Sequence, residues 1–236
     1  MRIRRKLISA IHRIWPPKPR PLILMYHRIA DDPIDNWGLA VSPAHFEEQL
    51  DVLRRSRRPL PLEDFVRRLT AGTLPPDAVA VTFDDGYVDN LVAGKPRLEA
   101  ADIPATVFLA TGYLDRPGEF WWDEISRLVL AGHGPENFEL EIGEKVMRVD
   151  LSNVPVARKD GATSAAALKA RQAALTPIWE AMRRLDDGER QAVMTRLRSE
   201  VVDRVENFDR GRAMTTEEVR TLAADGLVTI GAHTVS

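Results

Sequence analysis

Hydrophobic and polar positions follow two different periods along this 236-residue chain. "LILMYH" (22 to 27) is a short apolar run after a proline cluster, with the length of a buried strand. "SPAHFEEQLDVLRR" spaces its apolar residues along one helical face and opens with Ser42 as N-cap and Pro43 in the first position. "PLEDFVRRLTAG" predicts a second short helix that closes at Gly72. "AVAVTFDD" (78 to 85) is apolar and β-rich up to its acidic end, where Gly86 breaks it. Residues 88 to 101 predict a helix weakened by Gly94 and Pro96, and "ATVFLATG" (105 to 112) another strand of the buried, parallel kind. Strand and helix alternating at this spacing predict parallel βα units, whose reactive groups gather at the C-terminal strand ends. His27, the pair Asp84 and Asp85, and Thr111 all fall at such ends.

From about 134 to 212 the rhythm changes. "FELEIGEKVMRVDL" alternates around a glycine turn and predicts a β-hairpin, followed by two charged helical stretches at about 163 to 185 and 187 to 205. The βα pattern then resumes, so this region is expected to be an insertion rather than a second domain. "TTEEVRTLAADG" carries a capping box from Thr215 to Glu218 and ends at Gly226. "LVTIGAH" gives one more strand, with His233 at its C-terminal end.

Composition narrows the chemistry. Hydrophobic residues make up 44% and charged residues 29%, which is ordinary for a soluble globular chain. The formal net charge of -2 gives no reason to expect nucleic acid as a partner. There is no cysteine, so any metal must be held by His, Asp or Glu. No apolar run approaches the roughly 20 residues that span a bilayer, and the start lacks the apolar core of a signal peptide. The expected location is the cytoplasm. Residues 1 to 21 divide into a basic segment and a proline-rich connector: Ile3, Leu7, Ile11 and Ile14 have helical spacing, and Arg2, Arg5 and Lys6 lie mostly elsewhere on the wheel. Such a helix, over residues 1 to 15, can dock on the domain or lie on the inner membrane surface.

In a strand, consecutive side chains point to opposite faces, so Asp84 and Asp85 share a site only if the strand ends between them and Gly86. One carboxylate can then bind a cation while its neighbour accepts a proton from water. An acidic turn without a ligand explains "FDDG" equally well, and a lone histidine after a strand is more often structural than not. If the strand ends of His27, Asp84 with Asp85, and His233 converge on one rim, they form a nitrogen and oxygen site suited to zinc or a similar divalent ion.

"VTFDDG", then "ATVFLATGYL", then "IGAHTVS" resembles the polysaccharide deacetylase family with the NodB homology domain, carbohydrate esterase family 4. The resemblance runs from about residue 22 to 236 and is poor over the insertion. It implies an α/β fold, a distorted (β/α) barrel of the NodB type that is incomplete at the C-terminus and carries a hairpin-plus-helices insertion. It also implies Asp84 as catalytic base, Asp85 and His233 as ligands of a divalent metal, by expectation zinc, and Thr234 as a neighbour shaping the histidine turn. In the family two residues separate the Ser or Thr from a second metal-binding histidine; here that histidine would come immediately after Ser236. The motifs that supply a base-positioning arginine and a general-acid histidine are not present either. The chain therefore reads as the N-terminal part of a deacetylase, with little activity expected of residues 1 to 236.

The implied reaction is metal-assisted hydrolysis of N-acetyl groups on a polysaccharide or oligosaccharide, with an N-acetylated glycan as partner. His27 is a candidate for the site lining. Trp121 and Trp122, in "EFWWDE", can stack on sugar faces, although paired tryptophans at a helix start serve at least as often as core. The alternatives are a non-catalytic protein that binds a glycan or partner without turnover, and a metal hydrolase of a small amide or ester.

Overall fold

The computed structural model describes residues 19–32, 34–130, 137–143, 145–152, 154, 165–200 and 211–235. The basic helix expected over residues 1 to 15 lies outside them. Strand β1 (Leu22–Tyr26) is followed by β2 (Arg28–Ile29), which pairs in parallel with β3 (Ala40–Val41) and so ties down the loop between them. Helix α1 (Pro43–Ser56) begins as its sequence requires, the His45 backbone N–H donating to Ser42 Oγ at 3.2 Å. A two-residue strand, β4 (Arg58–Pro59), leads to helix α2 (Leu62–Thr70). Strand β5 (Ala78–Phe83) is buried at every position, as expected of a strand covered on both faces.

The helix expected over 88 to 101 divides in two. Asn90–Gly94 forms a π-helical turn, closed by the Lys95 N–H reaching back five residues to the Asn90 carbonyl, and an α-helix, α3 (Lys95–Ala101), follows. Pro96 has no N–H to donate, so the ladder is broken where the wide turn meets the narrow helix.

Strand β6 (Ala105–Ala110) then runs into a 3-10 turn at Thr111–Tyr113 and helix α4 (Trp121–Leu130). The predicted hairpin is present as β7 (Asn137–Ile142) and β8 (Lys145–Asp150), antiparallel, and the two charged stretches form α5 (Ala165–Met182) and α6 (Asp187–Glu200). Helix α7 (Thr216–Ala223) has the capping box expected of it, with the Thr215 N–H donating to Glu218 Oε2 at 2.8 Å and the Glu218 N–H to Thr215 Oγ1 at 3.2 Å. Strand β9 (Val228–Thr234) ends the chain of elements.

The sheet is parallel throughout, in the order β1-β5-β6-β9, with β4 paired to the first residues of β5. The α/β class with a parallel sheet is therefore as expected. Among the described residues β1 and β9, at the two ends of this order, each have one hydrogen-bonded neighbour. Apolar side chains stand open on these edge strands, Ile23 at 51% and Met25 at 63% exposure.

Among the described residues two large cores stand beside a small one of Phe65, Ala78 and Ala80. In the first, Val81, Phe83 and Val107 of the sheet pack with Phe46 and Leu50 of α1, Leu98 of α3 and Leu222 of α7. In the second, Phe120 and Trp121 join Leu140 of the hairpin, Leu175 and Ile178 of α5, and Met194 of α6. The insertion thus buries its apolar faces against α4 and has no core apart from it.

A polar seam joins the two cores at the fully buried Tyr87. Its hydroxyl donates to Asp123 Oδ2 at 2.7 Å and accepts from Trp122 Nε1 at 2.8 Å, while the Arg28 guanidinium lies 5.0 Å from its ring centroid. Arg28 Nε in turn donates to Asp89 Oδ2 at 3.1 Å. Part of Asp123 reaches the surface, but its carboxyl is dehydrated by these neighbours. Burial pushes its pKa up to about 7, against the opposing pull of Arg28.

Two outcomes follow for stability. Leu175→Ala, at a fully buried position of the shared core, should cost about 2–5 kcal/mol in denaturant unfolding and leave a single transition. A separate early transition would mean that the insertion is an independent unit. For Asp123, a raised folded pKa means that its contribution is complete below the unfolded carboxylate value near about 4 and is lost as pH rises to about 7. Asp123→Asn keeps an acceptor for Tyr87 and should flatten the fall of Tm across that window, read by circular dichroism.

Candidate functional site

The acidic motif is a turn with an unusual backbone. The Asp84 N–H donates to the Tyr26 carbonyl at 2.9 Å, the last rung tying β5 to β1. Asp85 and Gly86 then both take the left-handed conformation, at φ +70° and +80°, and the Gly86 N–H closes back on the Asp84 carbonyl at 2.9 Å. Two consecutive left-handed residues end the alternation of the strand. That is how neighbouring carboxylates come to face the same histidine. A Cβ at position 86 would lie 2.5 Å from Leu109 Cδ2, so glycine is needed there for both conformation and space. Asp85 holds the same conformation as a non-glycine residue, a strain of the sort that gathers at functional sites. The turn is held from outside as well, by the Ala110 N–H on the Asp85 carbonyl and the Met214 N–H on the Gly86 carbonyl.

His233 reaches this turn through a shift of register. Leu109 pairs with Ala232, but Ala110 pairs with Thr234, leaving His233 as an extra, unpaired residue in β9. Such a bulge re-aims the side chain it carries. The His233 ring places Nδ1 3.3 Å from Asp85 Oδ1 and Nε2 3.7 Å from Asp84 Oδ2. The end of β9 is clamped on the turn after β6: Thr111 Oγ1 donates to the Thr234 carbonyl at 3.1 Å and the Gly112 N–H to the Val235 carbonyl at 2.8 Å. A Cβ at residue 112 would lie 2.2 Å from that Val235 oxygen, so the clamp also requires glycine.

Burial holds the Asp85 pKa above the ordinary carboxylate value, opposed by the charges of His27 and His233 and reinforced by Asp84. His27 thus acts on the same carboxylate, and its carbonyl accepts from Asn90 Nδ2 at 2.8 Å. Thr234 is exposed and enters through its backbone. Trp121 is buried in the second core against Trp179, and Trp122 turns its indole N–H to Tyr87. Trp121 thus packs in the second core, and Trp122 lies partly buried against it.

Whether these residues fit a metal can be tested on geometry. Two ligands at about 2.1 Å from a tetrahedral zinc lie about 3.4 Å apart, close to the 3.3 Å between Asp85 and His233. The set is nevertheless short: among the described residues no three His, Asp or Glu gather in a group able to hold a metal ion. Two donors are in place where a zinc enzyme commonly uses three.

Sequence reasoning missed the residues that hold the site. Asp89 accepts from the Ile29 N–H at 3.0 Å and from Arg28 Nε, and Asn90 ties down His27, so two adjacent residues pin the end of β1 to the helix that follows the acidic turn. The polar "VDN" inside an otherwise apolar stretch was the available signal.

Comparison with known proteins bears on the acidic turn directly. Residues 71–137 match the family described as polysaccharide deacetylase. No curated protein matches the chain. Among solved structures, IcaB from Ammonifex degensii is 30% identical over 43% of this chain and 42% of its own, with a TM-score of 0.37. A polysaccharide deacetylase from Bacillus cereus is 29% identical over 42% of this chain and 32% of its own, with a TM-score of 0.34. The deacetylase PplD from Streptococcus pyogenes, solved with acetate, is 20% identical over 90% and 91%, with a TM-score of 0.38. The chain therefore spans less than half the length of the first two. The "TFDDG" turn lies inside the segment, residues 71–137, that is similar to the polysaccharide deacetylase family.

Proposed function

We propose that this chain carries the acidic half of the active site of a metal-dependent deacetylase acting on N-acetyl groups of a polysaccharide or oligosaccharide. The observation that carries the proposal is the meeting of Asp84, Asp85 and His233, drawn from two strands separated by about 150 residues of sequence, within contact distances of 3.3 and 3.7 Å. Asp85 and His233 would hold the ion, by preference zinc. When bound, such an ion polarises the acetamide carbonyl and makes water acidic enough to attack near neutral pH.

The protein's own groups do the rest. Asp84 is mostly shielded from solvent, with 14% of its side chain exposed, and takes the proton that the attacking water gives up. Its position is fixed by the backbone bond to Tyr26, and its Oδ2 lies 3.7 Å from His233 Nε2. Asp85 pays for its place in the turn with conformational strain and burial. A cation close by would favour its ionised form and offset part of that cost. His233 is oriented by the bulge and by the Gly112 clamp, so its ring is presented to the carboxylates before any ligand arrives. The shortage of donors among the described residues favours a second reading, a protein that binds glycan without turnover.

Zinc titration of the purified chain separates the two. Asp85→Ala and His233→Ala are each expected to weaken zinc binding by at least about 100-fold, as loss of a direct ligand should exceed the 10- to 100-fold typical of outer partners. Acetate release from N-acetylglucosamine oligomers is expected to be slow, to stop with a chelator, and to fall by about 100-fold or more in Asp84→Asn, which leaves zinc binding intact. Binding of zinc and oligomer with no acetate release would favour the non-catalytic reading instead. Gly112→Ala touches neither ligand, yet it should lift the end of β9 from its clamp and weaken zinc binding. Unchanged zinc affinity in that variant would show that the clamp does not place His233.

A further inference from the structure

A cavity of about 720 Å³ lies beside the acidic turn, between the loop joining β2 to β3, the π-helical turn and the start of α4. None of His27, Asp84, Asp85 and His233 lines it, although Arg28 and Asp89 do. Its size falls in the range of small-molecule sites.

Two properties of its wall describe an occupant. First, the wall is electronegative: six Asp and Glu side chains line it against three Arg. The arginines are already engaged, Arg28 with Asp32 and Asp89, Arg127 with Glu119, and Arg212 with Glu218 outside the cavity. Among the described residues Asp31, Asp35 and Asp123 make no ion pair. Burial pushes the pKa values of Asp35 and Asp123 upward, against the nearby charge of Arg28, and Asp35 accepts from the Leu39 and Ala40 N–H groups at 2.8 and 3.0 Å. Second, the wall holds polar groups without partners. Asn36 is 1% exposed, and neither its amide nitrogen nor its amide oxygen meets a protein partner; Trp37 Nε1 is likewise buried and unmet. An unpaired buried polar group costs about 1–3 kcal/mol, so native structures seldom keep one without a use for it.

Unmet donors together with an unmet acceptor suit hydroxyl groups, which can give and accept. Unpaired carboxylates suit an ammonium. We propose that this cavity is a second ligand site, separate from the candidate metal site, that takes one hydroxylated amine unit of the amino-sugar class. The choice of an amino sugar rests on the deacetylase reading, because removing an acetyl group from an N-acetylated sugar leaves that amine. A unit already deacetylated would then be held next to the turn where its neighbour reacts. An anionic ligand is excluded by the charge of the wall.

The test is calorimetric titration of the full chain in metal-free buffer with glucosamine, using glucose and N-acetylglucosamine as neutral comparators. Glucosamine is expected to bind saturably and about tenfold more tightly than either, the effect of one charge-assisted contact. Three variants locate the site. Asp85→Ala should bind as the wild type does. Val92→Trp, at a cavity-lining position with 65% exposure where a large ring should not disturb folding, should abolish binding. Asn36→Leu removes two unpaired polar atoms, so it should unfold no more easily than the wild type and yet lose binding. No saturable binding to the wild type, equal binding of glucose, binding lost in Asp85→Ala, or binding untouched by Val92→Trp would each overturn the proposal. None of these results depends on acetate release, so the deacetylase reading can fail while the cavity still binds its amine, or the reverse.

Discussion

The carboxylate of Asp89 is the contact on which most of the molecule depends. It is buried, and it accepts from two groups of β2, the Ile29 backbone N–H and the Arg28 side chain. Breaking a buried ion pair from one side commonly costs about 3–5 kcal/mol, because the partner is left charged and dry. Here the consequence would spread. Asp89 fixes Arg28, Arg28 lies against Tyr87, Tyr87 bonds to Asp123 at the start of α4, and α4 carries the core of the insertion. The next residue, Asn90, holds the carbonyl of His27. One carboxylate thereby sets the relation between the ends of β1 and β5 and couples the sheet core to the insertion core.

The candidate site is made by two departures from regular sheet geometry rather than by the sheet itself. Had β5 continued as a strand, Asp84 and Asp85 would point apart. Had β9 kept its register, a different residue would stand where His233 does. The left-handed turn and the bulge occur at facing positions on either side of β6, and the backbone bond from Ala110 to the Asp85 carbonyl joins them. Sheet pairing supplies rigidity; the irregularities supply aim.

The regular elements were legible in the sequence because their causes are local. Ser42 before Pro43, the Thr215 and Glu218 pair, and the unbroken apolar run of β5 each act within a few residues, and each produced the element expected. The parallel class followed from the spacing of those elements. Asp84, Asp85 and His233 were legible as candidates because acids at a glycine break and a histidine at a strand end are visible in one dimension. What brings them together was not. The His233 bulge is a relation between two strands about 120 residues apart, and the need for glycine at 112 comes from the carbonyl of Val235 pressing on it from the other strand. The π-helical turn was also hidden, since Pro96 signals a weakened helix without saying in which direction it yields. Trp121 and Trp122 illustrate the converse. Their side chains are compatible with a sugar platform or a core, and the stacking of Trp121 on Trp179 comes from the arrival of α5 beside α4, which neither residue announces in the sequence.

Among the described residues His233 stands on a strand at the edge of the sheet, which has a thermodynamic meaning. An ion shared by Asp85 and His233 would cross-link β9 to the turn after β5 and span β6 between them. Ion binding and the docking of the last strand would then be linked functions, each raising the equilibrium constant of the other by the same factor. A frayed β9 would hold the ion weakly even with both ligands chemically intact, and the apparent affinity would be the intrinsic one scaled by the fraction of molecules in which the strand is docked. The edge of the sheet would in this sense be part of the metal site, and whatever pairs with β9 would regulate the affinity without touching the ion.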